Sequence, residues 1–147
     1  MKLPSGQKAK EFITLDEIKQ THDRIKPYIE RTPVIQNDYF SKQLSDLVGH
    51  KVTVHFKCEL FQKTGSFKSR GAVNAVMAAR AQYTKGQLPG VVTHSSGNHG
   101  AATAYAAQQM GVKSTIVVPD FATPAKMANM EAYGAEVVKV EPRPECL

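Results

Sequence analysis

From residue 90 onward, short apolar runs alternate with longer segments in which apolar residues recur at helical spacing. The runs cover residues 91–93, 115–118 and 136–140, and each has the length and β-branched content of a strand. The segments between them, residues 97–110 and 123–134, have the start and stop signals of helices. Strand, helix, strand, helix, strand at this spacing predicts a parallel sheet with right-handed crossovers, and so an α/β fold.

The first part of the chain is less regular but predicts three more elements. Thr14 and Glu17 form a capping-box pair, which predicts a helix that begins at Thr14. Residues 52–58 alternate apolar and polar side chains, as a strand with one buried face does. A polar turn over residues 62–66 leads into a second helix. The positions expected to share a face are Leu15, Ile18, His22 and Ile25 in the first helix, Val52, Val54, Phe56 and Cys58 in the strand, and Ala72, Val73, Val76, Met77 and Ala79 in the second helix.

Composition excludes several classes of protein. The 147 residues are 41% hydrophobic and 22% charged, which is ordinary for a globular protein and excludes a collagen-like or disordered chain. Lys and Arg total 19 against 13 Asp and Glu, giving a net charge of +6. The basic residues are scattered and no aromatic platform accompanies them, so we expect no nucleic-acid partner. No apolar run approaches the roughly 18 residues that span a bilayer, so we expect no membrane partner.

The two cysteines, Cys58 and Cys146, lie far apart and outside any metal-ligand or CxxC spacing. We therefore predict no metal site and a reducing, cytoplasmic location. Cys58 falls on the apolar face of the predicted strand, so we expect a small buried side chain rather than a reactive thiol.

One polar segment with candidate chemistry surrounds Lys68. Residues 63–72 read KTGSFKSRGA and place Lys68 beside Phe67 at the start of a predicted helix. The positive end of the helix dipole and desolvation both disfavour an ammonium group there. A lysine in such a place can form a Schiff base with a carbonyl compound. The alternative interpretation is one more solvated helix lysine.

A second segment, HSSGNHG at residues 94–100, follows a predicted strand and opens a helix. Ligands of parallel sheets bind at the carboxyl ends of the strands, where helix N–H groups face an anion. Two serines, one asparagine and two histidines add hydrogen-bonding groups that suit a carboxylate or a phenolate oxygen. An ordinary helix cap would explain one of these residues but not five together. A serine hydrolase is a poor fit, because the G-x-S-x-G elbow is absent.

Together these segments resemble those of a known family. Residues 59–72, ELFQKTGSFKSRGA, resemble the lysine motif of the serine racemase and serine/threonine dehydratase family, and residues 93–100, THSSGNHG, resemble its substrate loop. RTPV at residues 31–34, IVVP at 116–119 and YGA at 133–135 extend the resemblance over nearly the whole chain. These enzymes depend on pyridoxal phosphate (PLP). The resemblance implies a three-layer α/β fold with a parallel sheet, the PLP fold type II.

The resemblance also implies roles for individual residues. Lys68 would hold PLP as a Schiff base and abstract the substrate Cα proton, with Phe67 packed beside the pyridine ring. Asn98 would bind the phenolic oxygen of PLP. Ser96 would be the second acid–base group, on the face opposite Lys68. The residues expected to contact the substrate are Ser95, Ser96, Asn98 and His99.

The implied reactions are racemisation and β-elimination, on L-serine, D-serine or L-threonine, with PLP as the electron sink. Racemisation returns a proton on the opposite face, whereas elimination from serine releases water and leads to pyruvate and ammonia. Full-length members are expected to form dimers. In the family, the segment with Lys63 and Thr64 also contacts ATP, and Mg²⁺ is a further ligand. The serine pair that accompanies the ATP contact is replaced here by Gln36, Asn37 and Asp38.

Three regions are predicted along the chain: a flexible tail over residues 1–13, the N-terminal part of a large PLP domain over residues 14–89, and a small α/β domain over residues 90–147. The family's glycine-rich phosphate loop has no counterpart among these 147 residues. We therefore expect an incomplete, truncated form with weak or no activity alone and an unpaired sheet edge. The alternatives are a non-catalytic module that pairs with a full-length subunit, and a basic nucleic-acid binder.

Overall fold

The computed structural model describes residues 12–83 and 88–141, so most of the predicted tail and Cys146 lie outside the described residues. Short 3-10 helices occur at Lys26–Tyr28 and Glu59–Phe61. The α-helices in these ranges are α1 (Leu15–Ile25), α2 (Asp38–Val48), α3 (Lys68–Gln82), α4 (Asn98–Met110) and α5 (Pro124–Ala132). The strands are β1 (Val34–Gln36), β2 (His55–Lys57), β3 (Val91–His94), β4 (Ser114–Pro119) and β5 (Glu136–Val140). None of the described helices has the length and apolar character needed to cross a membrane.

Strands β3, β4 and β5 form a parallel sheet in that order, with β4 in the middle. Thr93 pairs with Ile116, and Ile116 pairs in turn with Val137. Helices α4 and α5 are the connections between successive strands. The alternation of apolar runs and helical segments therefore predicted this part of the fold correctly.

Helix α4 is buried on nearly every side. All residues from Gly100 to Ala107 are buried, as is Met110. A helix that is apolar around its whole circumference belongs in a protein interior. Its alanines make this possible, because small side chains let neighbouring elements approach from several directions.

Two clusters of buried side chains meet at α4. The first joins α1, α3 and α4 and consists of Ile25, Ile29, Ala72, Val73, Val76, Ala102, Tyr105, Ala106 and Met110. The second joins α4, β4 and α5 and consists of Ala101, Ala104, Ile116, Val118, Ala122, Met127, Met130 and Ala135. Helix α4 thus packs against both the first and the second half of the described chain.

Helix α1 begins as the sequence predicts. The Thr14 N–H donates to Glu17 Oε2 at 2.8 Å, and the Glu17 N–H donates to Thr14 Oγ1 at 3.3 Å, so both halves of the capping box are present. Its apolar face is covered only at one end, because Ile25 is buried whereas Leu15 and Ile18 are exposed.

The strand predicted for residues 52–58 is shorter than expected and is buried differently. Regular structure covers only β2, which pairs antiparallel with β1, a strand that the sequence pattern did not predict. Cys58 is buried as expected, but Phe56 is 44% exposed, and its ring packs edge-on against Phe40 of α2. The alternation located the strand correctly, but α2 covers the face that carries Phe56 only in part. Helix α2 was not predicted either; it begins at Asn37, whose Oδ1 accepts the Phe40 N–H at 2.9 Å.

Gly100 lies where α4 approaches its neighbours most closely. A Cβ atom there would lie 2.7 Å from Met130 Cε, 2.9 Å from the Ser95 carbonyl oxygen and 3.0 Å from Ile116 Cγ2. We expect Gly100→Ala to lower the free energy of unfolding by about 1–3 kcal/mol, because the carbonyl cannot move aside as a flexible side chain can. Urea unfolding of the purified chain measures this.

Gly71 in α3 is the matched control, since a Cβ there would meet nothing within 4 Å. Gly71→Ala should raise the free energy of unfolding by about 0.5–1 kcal/mol through its effect on the unfolded chain. Equal effects of the two substitutions would contradict the close approach at Gly100.

Candidate active site

Lys68 is the first residue of α3, and its side chain is exposed. Its Nζ lies 5.1 Å from the centroid of the Phe67 ring, which is itself exposed. The ammonium group forms no ion pair with any described residue. The desolvated setting expected from the sequence is therefore not observed, and the amine is open to solvent.

The turn before Lys68 folds back onto the start of α3. The Gly65 N–H donates to the Gln62 carbonyl at 2.8 Å, and Gly65 adopts a φ of +72°, which favours glycine. The hydroxyls of Thr64 and Ser69 lie 2.6 Å apart, and Ser69 is fully buried. The local sequence therefore fixes the backbone on both sides of the lysine.

Arg70, two residues after Lys68, forms a two-pronged ion pair with Glu59. Its Nε donates to one carboxylate oxygen of Glu59 at 2.9 Å, and a terminal guanidinium nitrogen donates to the other at 2.8 Å. The Thr32 hydroxyl donates to the same carboxylate at 2.7 Å. Hydrogen bonds from Arg70 hold the pKa of Glu59 below its ordinary value, although burial acts in the opposite direction.

Residues 95–100 form the loop at the carboxyl end of β3. The Ser95 N–H donates to the Val117 carbonyl at 3.0 Å and so extends the sheet by one residue. The Ser95 hydroxyl oxygen accepts the N–H groups of Gly97 at 3.2 Å and Gly100 at 3.1 Å. The Ser95 side chain thus caps the N-terminus of α4.

The neighbouring side chains in this loop make no such contacts. Ser96 is half-buried, while Asn98 and His99 are exposed at the first turn of α4. None of these three side chains forms a hydrogen bond within the described part of the chain. The N–H groups of Asn98 and His99 likewise have no acceptor there, as is usual at the start of a helix. Polar groups and free N–H donors therefore face solvent together at this point.

The two segments lie on helices that pack against each other. A cavity of about 280 Å³ between α3 and the β3–α4 unit is lined by residues of both, including Gly71 of α3 and His99 of α4. No hydrogen bond or ring contact joins Lys68 to residues 95–99 among the described residues. The structure therefore places both segments on contacting elements but shows no direct contact between them.

Lys63 and Thr64, the residues associated with ATP, already have partners within the chain. The Lys63 ammonium pairs with the Glu30 carboxylate, and this hydrogen bond raises the pKa of Lys63. The Lys63 carbonyl accepts the Tyr133 hydroxyl at 3.1 Å. Thr64 is engaged by Ser69, as described above. These contacts do not test whether either residue binds a nucleotide.

Several residues that shape the site were missed in the sequence. Glu59, Gln62 and Arg70 lie inside the lysine motif. Their polar side chains within this motif were the signal in the sequence that could have identified them as structural residues. Their partners at Glu30 and Thr32 come from about thirty to forty residues earlier, and no local pattern specifies that pairing.

Comparison with known proteins places the chain among enzymes. A family model described as "Pyridoxal-phosphate dependent enzyme" matches residues 25–146. The chain belongs to this family of PLP-dependent enzymes. Serine racemase of Arabidopsis thaliana is 48% identical to it over 121 residues, which are 82% of this chain and 34% of the relative. A beta-hydroxyaspartate dehydratase of Paracoccus denitrificans is 42% identical over 130 residues, 88% of this chain and 38% of the relative.

The fold of the chain is that of PLP fold type II enzymes. The crystal structure of a PLP-dependent aspartate racemase superposes with a TM-score of 0.82 at 46% identity, covering 93% of this chain and 40% of that one. The fold class and the family predicted from the sequence are thereby confirmed. The chain spans about a third to two fifths of the length of the PLP-dependent enzymes it matches.

The residues present fit the chemistry of PLP. Lys68 offers a primary amine that is in no ion pair with a described residue, and an aldehyde needs such an amine for condensation. Phe67 offers an exposed aromatic face, and Asn98 offers an amide at a helix start. The roles of these residues, the domain boundary at residues 89–90 and the nucleotide contact remain predictions.

The Glu59–Arg70 pair predicts a pH-dependent contribution to stability. Because the folded-state pKa of Glu59 is lowered, its contribution is fully present above its ordinary pKa of 4.5 and is lost as the pH falls through the lowered value. Glu59→Gln should lower the free energy of unfolding by about 1–2 kcal/mol at neutral pH, and the difference should shrink in acid. Urea unfolding at several pH values measures both.

Glu131→Gln, at an exposed glutamate of α5, is the control for the charge change. It should leave stability within about 0.5 kcal/mol of the parent. A Glu59→Gln difference that is independent of pH would contradict the ion-pair account.

The capping role of Ser95 predicts that the two serines of the loop differ in their effect on stability. Ser95→Ala should lower the free energy of unfolding by about 1 kcal/mol, because two N–H groups lose their acceptor. Ser96→Ala should change it by less than about 0.5 kcal/mol, since the Ser96 hydroxyl has no partner among the described residues. Thermal and urea unfolding of the two variants, run side by side, provide the measurement, and equal losses would refute the assignment.

Proposed function

We propose that this chain provides the catalytic lysine and the substrate loop of a PLP-dependent amino-acid racemase or dehydratase that acts on serine or threonine. The observation that carries the proposal is Lys68. It begins a helix with its amine open to solvent and without an ion pair to any described residue, while the backbone on both sides of it is fixed. Such a lysine can react with an aldehyde without first breaking an ion pair.

In this proposal each residue has one task. PLP, when bound, supplies the electron sink that makes a substrate Cα proton acidic. Lys68 removes that proton on one face, and Ser96 exchanges a proton on the other. The Asn98 amide orients the cofactor through its phenolic oxygen, and Phe67 packs beside the ring.

The loop at residues 95–99 is suited to a substrate carboxylate. Ser95 uses its oxygen to accept two backbone N–H groups, so its own O–H remains available to donate. The free N–H groups of Asn98 and His99 point from a helix start, where an anion is stabilised. The His99 side chain lies at the same exposed turn.

The relatives support a common first step rather than one product. Their names include a serine racemase, an aspartate racemase and a beta-hydroxyaspartate dehydratase. All three substrate types are amino acids with a removable Cα proton, and the reactions diverge only afterwards. Isomerase and lyase activity therefore both remain compatible with Lys68 and Ser96.

We expect the assembly, location and nucleotide binding of the protein to be those of the family. We expect a homo-oligomer in a cytoplasmic location, and an ATP site at Lys63 and Thr64 with Mg²⁺ nearby. These 147 residues alone should turn over serine weakly or not at all, because Lys68 and Asn98 lie exposed rather than enclosed. An open site does not exclude water from the reaction.

Borohydride trapping tests the role of Lys68. The 147-residue chain is incubated with PLP and reduced, and the modified lysines are mapped by peptide mass spectrometry. We expect Lys68 to carry most of the label and the visible absorbance of the adduct to disappear in Lys68→Ala, because the neighbouring Phe67 ring can pack beside the pyridine ring of the adduct. Lys19→Ala, at an exposed position of α1, is the matched control and should leave both signals unchanged. Label spread evenly over the exposed lysines would contradict the proposal.

A second candidate function is a non-catalytic module that pairs with a full-length subunit. The observation that favours it is the number of large apolar side chains left exposed on α1 and α2. Leu15, Ile18, Leu44 and Leu47 are all exposed, which is uncommon on the surface of an isolated domain. Co-expression of the chain with a full-length serine racemase tests this function. Co-purification of the two proteins would support it. A soluble monomer that does not bind the full-length subunit would exclude it.

A further inference from the structure

Gln62 is a buried polar side chain near Lys68 that forms three hydrogen bonds. It is only 4% exposed, although it lies in a polar turn. Its Oε1 accepts the N–H of Glu30 at 2.8 Å and the N–H of Lys63 at 3.1 Å. Its Nε2 donates to the carbonyl of Glu30 at 3.0 Å.

The Gln62 amide therefore binds the backbone of Glu30 as a neighbouring strand would. One residue of an extended segment presents an N–H and a carbonyl, and the amide matches both at once. A glutamine amide carries this donor and acceptor side by side at any pH, whereas a glutamate does so only when it is protonated. The contact joins the turn before Lys68 to a segment 32 residues earlier in the chain.

The segment that follows Lys68 binds the same carbonyl oxygen of Glu30. The Arg70 guanidinium donates to the Glu30 carbonyl at 3.3 Å, in addition to its ion pair with Glu59. The Glu30 carbonyl thus accepts one donor from before Lys68 and one from after it. Among the described residues, the Lys68 side chain has a recorded contact only with the Phe67 ring, so its place is set by these flanking contacts.

We propose that Gln62 is a positioning residue, which sets the location of the Lys68 amine by fixing the turn over residues 62–67 to the backbone of Glu30. The proposal rests on the proposed function of Lys68 for its catalytic meaning. Nothing in it requires Gln62 to contact cofactor or substrate.

Gln62→Glu is the informative substitution, because it keeps the size and the acceptor of the side chain. An ionised carboxylate still accepts from the N–H groups, but it cannot donate and instead faces the Glu30 carbonyl oxygen. Protonation of the carboxyl restores a donor. We expect burial beside the Glu30 carbonyl oxygen to outweigh the two N–H donors and to raise the pKa of this carboxyl, so that protonation falls within reach of the lower pH.

Hydrogen exchange measures the position of the turn without any cofactor. Protection of residues 63–70 is compared with that of α4 in the parent chain and in Gln62→Glu, at about pH 8 and about pH 5, after correction for intrinsic rates. We expect protection of residues 63–70 to fall about tenfold at the higher pH, with α4 unchanged, and to return at the lower pH. The charged groups that face Gln62, the Glu30–Lys63 and Glu59–Arg70 pairs, are present in both proteins, so the difference between them isolates the new carboxyl.

An exposed glutamine of α1 provides the control for the charge change. Gln20→Glu, at an exposed position of α1, should change neither segment at either pH. If Gln62→Glu loses protection in α4 as well, Gln62→Asn replaces it, since that variant keeps the amide uncharged but cannot span to Glu30. A loss confined to residues 63–70 in that variant supports the proposal, and a loss throughout the chain overturns it. Parent-like protection in Gln62→Glu at the higher pH also overturns it, as does a loss that persists at the lower pH.

Trapping with PLP separates this proposal from the function on which it rests. The rate of Lys68 labelling in Gln62→Glu should fall at the higher pH and recover at the lower, relative to that of exposed Lys19. If the parent chain does not label Lys68 selectively, the proposed function fails while the exchange result still decides the role of Gln62. If the parent labels Lys68 and the variant labels it equally well at both pH values, the positioning role fails while the function stands.

Discussion

The burial of α4 on nearly every side is the constraint on which the rest of this structure depends. A helix can be enclosed in this way only if its side chains are small, and the alanines between Gly100 and Ala107 meet that condition. Both hydrophobic clusters use its surface. The parallel sheet and α3 are thus held relative to one another largely through this one helix, and α1 packs in turn against α3.

This arrangement explains how an exposed site can still be ordered. Lys68 and Asn98 each begin a helix, and the two helices pack together in the first cluster. Neither residue needs to be buried, because the backbone that carries it is fixed by groups that are buried or half-buried. Ser69, Gln62 and Ser95 provide those fixed points and form hydrogen bonds that are satisfied within the chain.

The elements that were predicted best from the sequence are those that local patterns determine. The capping box at Thr14, the three strands of the parallel sheet and the start of α4 could all be located from spacing alone, and the two motifs identified the family. The hairpin-like pairing of β1 with β2 could not, because Val34–Gln36 is too short to show a period and its faces are not covered. The exposure of Phe56 has the same origin: alternation shows which residues share a face but not whether anything packs on it. The joining of Gln62 and Arg70 to Glu30 depends on contacts between distant segments, which no local pattern encodes.

The two serines at the end of β3 carry different information about any chain with this fold. Ser95 closes the first turn of α4, so a chain that keeps the fold needs it or an equivalent acceptor, whatever chemistry the chain performs. The Ser96 hydroxyl forms no hydrogen bond among the described residues, so the hydrogen bonding of the fold does not depend on it. If Ser96 has the proposed acid–base role, a chain that drifts away from catalysis could therefore lose Ser96 while still requiring Ser95. The presence of the first serine would then report on the architecture whether or not the chain is an enzyme, whereas the presence of the second would report on the chemistry.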